Sequence, residues 1–147
     1  MIEILSQLFK HDLEILKTEI SSFKDEKNIW KISGDIKNSA GNLGLHLCGN
    51  LQHFIGGVLG NSGYVRNRDA EFSKKNVPVK ELVNKIELTT QVVANTLKEL
   101  KEEELQRTFP INVFGQETTT GYFLTHLSTH LNYHLGQINY HRRLLDN

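Results

Sequence analysis

Apolar residues recur every three or four positions through four separate segments, and that period commits the chain to helices that each bury one face. Ile4, Leu5, Leu8, Leu13, Ile15, Leu16 and Ile20 mark a first helix over about residues 2–23. After KDEKNIWKISGDIKN, Ser39 is an N-cap for a second helix with Leu43, Leu47, Leu51, Phe54 and Val58 on its apolar stripe. The polar connection GNSGYVRNRDAEFSKKNVP leads to a third helix over about 79–101, carrying Leu82, Val83, Ile86, Val93, Leu97 and Leu100 and ending in the solvated run KEEE. QRTFPINVFGQE reads as an extended turn around Pro110, after which Thr118 or Thr119 caps a long fourth helix to about Leu145. The expectation is one all-α domain over residues 1–147, a four-helix bundle.

Charge names no partner, because 17 Lys and Arg balance 17 Asp and Glu; neither nucleic acid nor an acidic membrane surface is indicated. The opening MIEILSQLFKHDLEILKTEI has acidic residues between its apolar ones, so it is neither a signal peptide nor a membrane span. With Cys48 the sole cysteine, a soluble cytoplasmic protein is expected.

The unusual feature is LTHLSTHLNYHLGQINYH, residues 124–141, which holds four of the chain's seven histidines. With His126 at 0° on a helical wheel, His130, His134 and His141 fall at about 40°, 80° and 60°, beside the buried stripe of Leu127, Leu131 and Ile138. His130 and His134 are one turn apart, a spacing that lets two imidazoles meet at one metal ion. His126 and His130 have the same spacing, so geometry leaves the pair open. A third ligand would come from the second helix, where His46 lies between Leu43 and Leu47 and His53 lies two turns further on. Asn50, one turn after His46, faces the same way and fits a role behind the ligands. Single histidines on apolar faces are commonly hydrogen-bonded core residues, but six on two helices favour a metal site. Neither HExxH nor ExxH occurs, which disfavours a zinc protease and a ferritin-like di-iron centre.

Two stretches, NSAGNLGLHLCGNLQHFIG (38–56) and HLSTHLNYHLGQINYHRRLL (126–145), with YVRNRDAEF (64–72) as a third, resemble the DinB/YfiT-like superfamily of small helical bundles with a three-histidine metal site. The final helix of that family carries two histidines separated by three residues and followed by a GQI-like segment, matched here by His130, His134 and Gly136-Gln137-Ile138. The resemblance therefore implies His130 and His134 as ligands, with His46 as the third. His53, His126 and His141 match no ligand position. It also implies an up-down-down-up bundle, with the long 60–78 connection as the crossover, and a homodimer. Antiparallel second and fourth helices would bring His53 next to His126; parallel ones would bring it near His141.

Three imidazoles leave a coordination position open, and zinc or nickel suits them ahead of iron or manganese. Relatives of this kind imply transfer of a low-molecular-weight thiol such as bacillithiol to a small-molecule substrate. A metal-dependent hydrolase using bound water is the alternative, and a non-catalytic, metal-stabilised interaction or stress-related protein is a third reading. No catalytic residue is assigned.

Other residues carry weaker expectations. Arg66 and Arg68 are candidates for anchoring a substrate carboxylate, unless they pair with Asp69 and Glu71 and merely fix their loop. Cys48 points about 200° away from His46 and is expected to pack on a small-residue ridge with Ala40 and Gly44. Gln137, one turn after His134, is placed to hydrogen-bond near the site, and Trp30, Tyr64, Tyr133 and Tyr140 are expected to line a pocket or to pack the core, with core packing favoured.

Overall fold

The computed structural model describes residues 1–147. It is all-helical: α1 (Ile2–Ser21), α2 (Ala40–Leu51), the short α3 (Arg68–Ser73), α4 (Val79–Glu99) and α5 (Thr120–Leu145). No helix is long and apolar enough to cross a membrane.

The caps explain where the helices start. Ser39 accepts a hydrogen bond from the Asn42 amide and Thr119 accepts one from the Tyr122 amide, so each side chain satisfies a donor that the first turn would leave unpaired. α1 stops at Ser21, two residues before the expected end, as the Ser22 amide turns back onto the Glu19 carbonyl. α2 continues through a π-helical stretch, Gln52–Leu59, rich in glycine, and closes on Gly60. α3 has no apolar periodicity of its own and was not expected. Asn67 caps it by accepting from the Ala70 amide.

Side-chain pairs fix how the long helices run. Asp12 meets Asn132 and Glu19 meets Asn139 and Arg142, so α1 and α5 are parallel. His46 meets His130 while Phe54 meets Phe123, so α2 and α5 are antiparallel. Gln52 bonds Thr89, and Gly60 lies against Thr96, so α2 and α4 are parallel. The Met1 ammonium reaches Glu102, just beyond the end of α4, which sets α1 antiparallel to α4.

The shared core includes Phe9, Leu13, Leu16, Leu47, Leu51, Ile55, Leu97, Phe123, Leu131 and Ile138, all nearly or fully excluded from solvent. Burial of each such side chain is worth about 1.5–3 kcal/mol, which is why the apolar stripes decide the packing. Two expectations fail here. Tyr64, Tyr133 and Tyr140 are 37%, 65% and 62% exposed, so the favoured core placement does not hold and they line surface pockets, the alternative. The close approach on α2 also avoids the Ala40–Gly44–Cys48 ridge. A Cβ at Gly44 would meet only Ile20 at 3.8 Å, whereas one at Gly49 would overlap the Glu71 carboxylate and one at Gly41 the Trp30 ring.

Candidate metal centre

Asn42 begins the construction of the site. It is fully buried one turn before His46, and its amide nitrogen donates to the carbonyls of Glu71 (2.9 Å) and Lys74 (2.8 Å). These bonds hold the end of α3 against α2, and the missing side chain of Gly49 leaves room for the Glu71 carboxylate. Glu71 Oε1 then accepts from His46 Nδ1 at 3.0 Å. Arg66 grips the same carboxylate with two donors, Nε to Oε2 at 2.9 Å and Nη2 to Oε1 at 3.0 Å. Burial alone would raise the Glu71 carboxyl; hydrogen bonds from His46 and Arg66, reinforced by the guanidinium charge, outweigh it and keep the group ionised.

α5 supplies the other half. His130 and His134 stand one turn apart and turn their Nε2 atoms toward His46 Nε2, at 3.3 Å from His46 to His130 and 3.1 Å from His134 to His130. The rings meet nearly at right angles: 78° between His46 and His130, 90° between His46 and His134, and 88° between His130 and His134. Their ligand atoms lie within 4.8 Å of one another. His134 Nδ1 is 2.7 Å from Gln137 Oε1, and the residue is half-buried. Burial, then the neighbouring His134 and His46, pushes the His130 imidazole down to about 4, so it is neutral at pH 7. Burial likewise lowers His134, partly offset by the Gln137 hydrogen bond.

The donor set fits a cation on proton arithmetic. Glu71 is an ionised acceptor, so His46 carries its proton on Nδ1, and Gln137 Oε1 fixes the proton of His134 on Nδ1 in the same way. Both Nε2 atoms then present lone pairs. His130 Nε2 has at most one proton to place between two such neighbours, and one close N···N approach is left as a contact between lone pairs. A divalent ion among the three nitrogens satisfies all of them.

The remaining candidates fall outside this group. His53 packs on the edge of Phe54, and His126 packs against Phe114 and approaches Phe123. Phe54 and Phe123 meet at 5.1 Å between the antiparallel α2 and α5, so His53 and His126 flank the same aromatic layer. Asn50 is buried with its Oδ1 unpartnered. Arg66 has its charge engaged by Glu71, and Arg68 lies over the Phe72 ring at 5.2 Å. The Cys48 thiol is buried, and burial pushes it up to about 11, which makes it a poor nucleophile.

Sequence reasoning grouped Glu71 with a loop of mutually paired charges and passed over Asn42 and Gly49. A signal existed for the last two: Asn42, His46 and Gly49 recur at helical spacing on a face that is otherwise apolar.

No curated protein matches the chain. A family model described as a protein of unknown function, DUF1572, matches residues 2–147, and the chain belongs to that family.

Proposed function

We propose that His46, His130 and His134 hold a divalent metal ion and that the protein is a metal-dependent enzyme acting on small molecules, with an exogenous low-molecular-weight thiol as the transferred nucleophile. The observation that carries the metal reading is the convergence of three Nε2 atoms, two of which are held as lone-pair donors by Glu71 and Gln137. In fold, the pairwise helix directions support an up-down-down-up four-helix bundle of the DinB/YfiT-like kind, with α3 in the crossover. Three protein ligands leave a position open, and an ion in such a site supplies Lewis acidity that lowers the pKa of a coordinated thiol or water.

The chain's own groups prepare the site and do not themselves attack. Cys48, the sole cysteine, is buried with its thiol held protonated, so a sulfur nucleophile comes from outside. Glu71 is committed to His46 and Arg66 and is not free to act as a general base for hydrolysis, while Asp35 lines the cavity beside His134. Thiol transfer is placed ahead of the hydrolase reading because a thiol ionises far more readily than water.

The test is elemental analysis of untagged protein and of His46→Ala, His130→Ala and His134→Ala, followed by a screen of the metal-loaded protein with small thiols and electrophilic acceptors. About one ion per wild-type chain, lost in each variant, with thiol consumption that depends on the ion, supports the reading. Metal-free wild type that folds as well as the variants overturns it.

A further inference from the structure

His46, His130, His126, Phe123, Phe54 and Arg66 form a circuit that closes on itself at the proposed metal centre. Ring centroids lie 5.1 Å apart from His46 to His130, 6.3 Å from His130 to His126, 6.1 Å from His126 to Phe123 and 5.1 Å from Phe123 to Phe54. Arg66 completes it, with Cζ 5.8 Å from the Phe54 centroid and Nη2 3.4 Å from His46 Nδ1. His46 and Phe123 are buried, whereas His126, His130, Phe54 and Arg66 are half-buried, so the circuit opens to solvent over a closed floor. Two further rings extend the aromatic wall. Phe114, 40% exposed on the loop before α5, lies 4.8 Å from His126 and 5.5 Å from Phe123, and His53 lies 4.7 Å from Phe54.

Asn50 stands inside that circuit. On α2 it is one turn after His46 and one turn before Phe54, on the same face. On α5 His126 has the matching place, between His130, which meets His46, and Phe123, which meets Phe54. The antiparallel register therefore sets Asn50 and His126 at one level. Asn50 is only 7% exposed, its Oδ1 is buried without a partner, and no group of the chain accepts from its Nδ2. Buried amides are ordinarily paired, because the hydrogen bonds lost with water have to be replaced. Unlike Oδ1, Nδ2 is not sealed from solvent, so its N–H groups are free to donate to a molecule in the recess. The Arg66 charge is already matched by Glu71, which leaves flat aromatic faces and one amide as the recognition groups.

We propose that Asn50 is a substrate-contacting residue of this recess, which takes a neutral aromatic carbonyl compound: the ring packs among Phe54, Phe114 and His126, and the carbonyl oxygen accepts from Asn50 Nδ2. The proposal rests on the metal-site reading for its catalytic meaning and names an acceptor class for it, because a carbonyl conjugated to an arene is an electrophile. The binding itself is measurable without the metal. Offset and edge-to-face contacts favour an arene over a saturated ring of the same size. A carbonyl pairs the amide without taking a charge out of water. An orphaned amide weakens the fold unless a ligand pairs it, so binding explains this residue and folding does not.

The experiment follows NMR spectra of 15N-labelled protein, with and without one equivalent of zinc, during titration with acetophenone and with cyclohexyl methyl ketone. Acetophenone is expected to shift the amides of Asn50, Phe114 and His126 and to bind about tenfold tighter than the saturated ketone. Asn50→Leu should weaken acetophenone binding about tenfold, and the metal-free variant should melt no lower than wild type, since the fold loses no hydrogen bond. Phe114→Ala changes an exposed side chain and gives a readout independent of the buried amide; it too should weaken binding about tenfold. No binding, shifts elsewhere on the protein, equal affinity for the two ketones, or unchanged affinity in either variant overturns the proposal even if zinc occupies the three histidines. A metal-free Asn50→Leu that melts well below wild type overturns it as well, by showing the amide to be structural. Selective acetophenone binding by a protein that takes up no zinc leaves the recess standing and removes the metal reading instead.

Discussion

Glu71 lies 3.0 Å from His46 Nδ1 and takes both remaining contacts of its carboxylate from one guanidinium, that of Arg66. Glu71 is buried and Arg66 only slightly exposed, and the geometry of His46 is tied to a residue 25 positions away.

Replacing Glu71 by Gln retains the shape but removes the ionised acceptor, freeing His46 to place its proton on either nitrogen. Zinc affinity, measured by competition with a chromophoric chelator, should fall by about 10- to 100-fold while helical content stays unchanged. Unaltered affinity would show that the carboxylate does not orient the ligand.

Two glycines of one helix should respond in opposite directions. At Gly44 an alanine methyl fits, with Ile20 3.8 Å away, and the better helix former should raise stability by up to about 1 kcal/mol. At Gly49 the same methyl displaces the Glu71 carboxylate, so Gly49→Ala should lower both the melting temperature and zinc affinity. Thermal melts of the two variants, with and without zinc, check both.

Metal should stabilise the fold by mass action. At a free zinc concentration 100 times the dissociation constant the gain is about 2.7 kcal/mol, a rise in melting temperature of several degrees. His130→Ala should abolish the rise, and a shift that survives in that variant would place the ion elsewhere.

Acid sensitivity should arise in part at the far end of the bundle. Asp146 accepts from the Lys24 amide at 2.6 Å and from the Asn28 side chain at 2.9 Å, and these bonds hold its carboxyl below the ordinary range. A carboxyl with a lowered folded-state pKa stabilises fully above its unfolded value, near 4, and loses that contribution as pH falls through the lower folded value. Asp146→Asn should therefore unfold at lower urea than wild type at pH 7, and the gap should close as pH drops below about 4. Parallel urea curves at pH 7 and pH 3 decide the matter.

The helices and their caps were legible because periodicity and capping are local properties: Ser39 and Thr119 act on amides three residues away. The gathering of histidines on one face of α5 was legible for the same reason. Glu71 was not, because its partnership depends on α3, a six-residue helix too short to show a period, docking on α2 through Asn42. Tyr133 and Tyr140 were misplaced because a wheel orders residues around an axis without saying which sectors meet a neighbour.

The 84 positions between His46 and His130 give the proposed metal centre a place in the order of folding. An isolated α5 already offers the His130 and His134 pair, because both stand on a single turn of one helix. The third nitrogen arrives only after a loop of most of the chain has closed, an entropic step that local helix formation does not assist. A chain with α5 formed but the loop open would hold the ion weakly by two contacts, and closure would add the third. The slow rise from weak to tight retention of metal during refolding would then time loop closure itself.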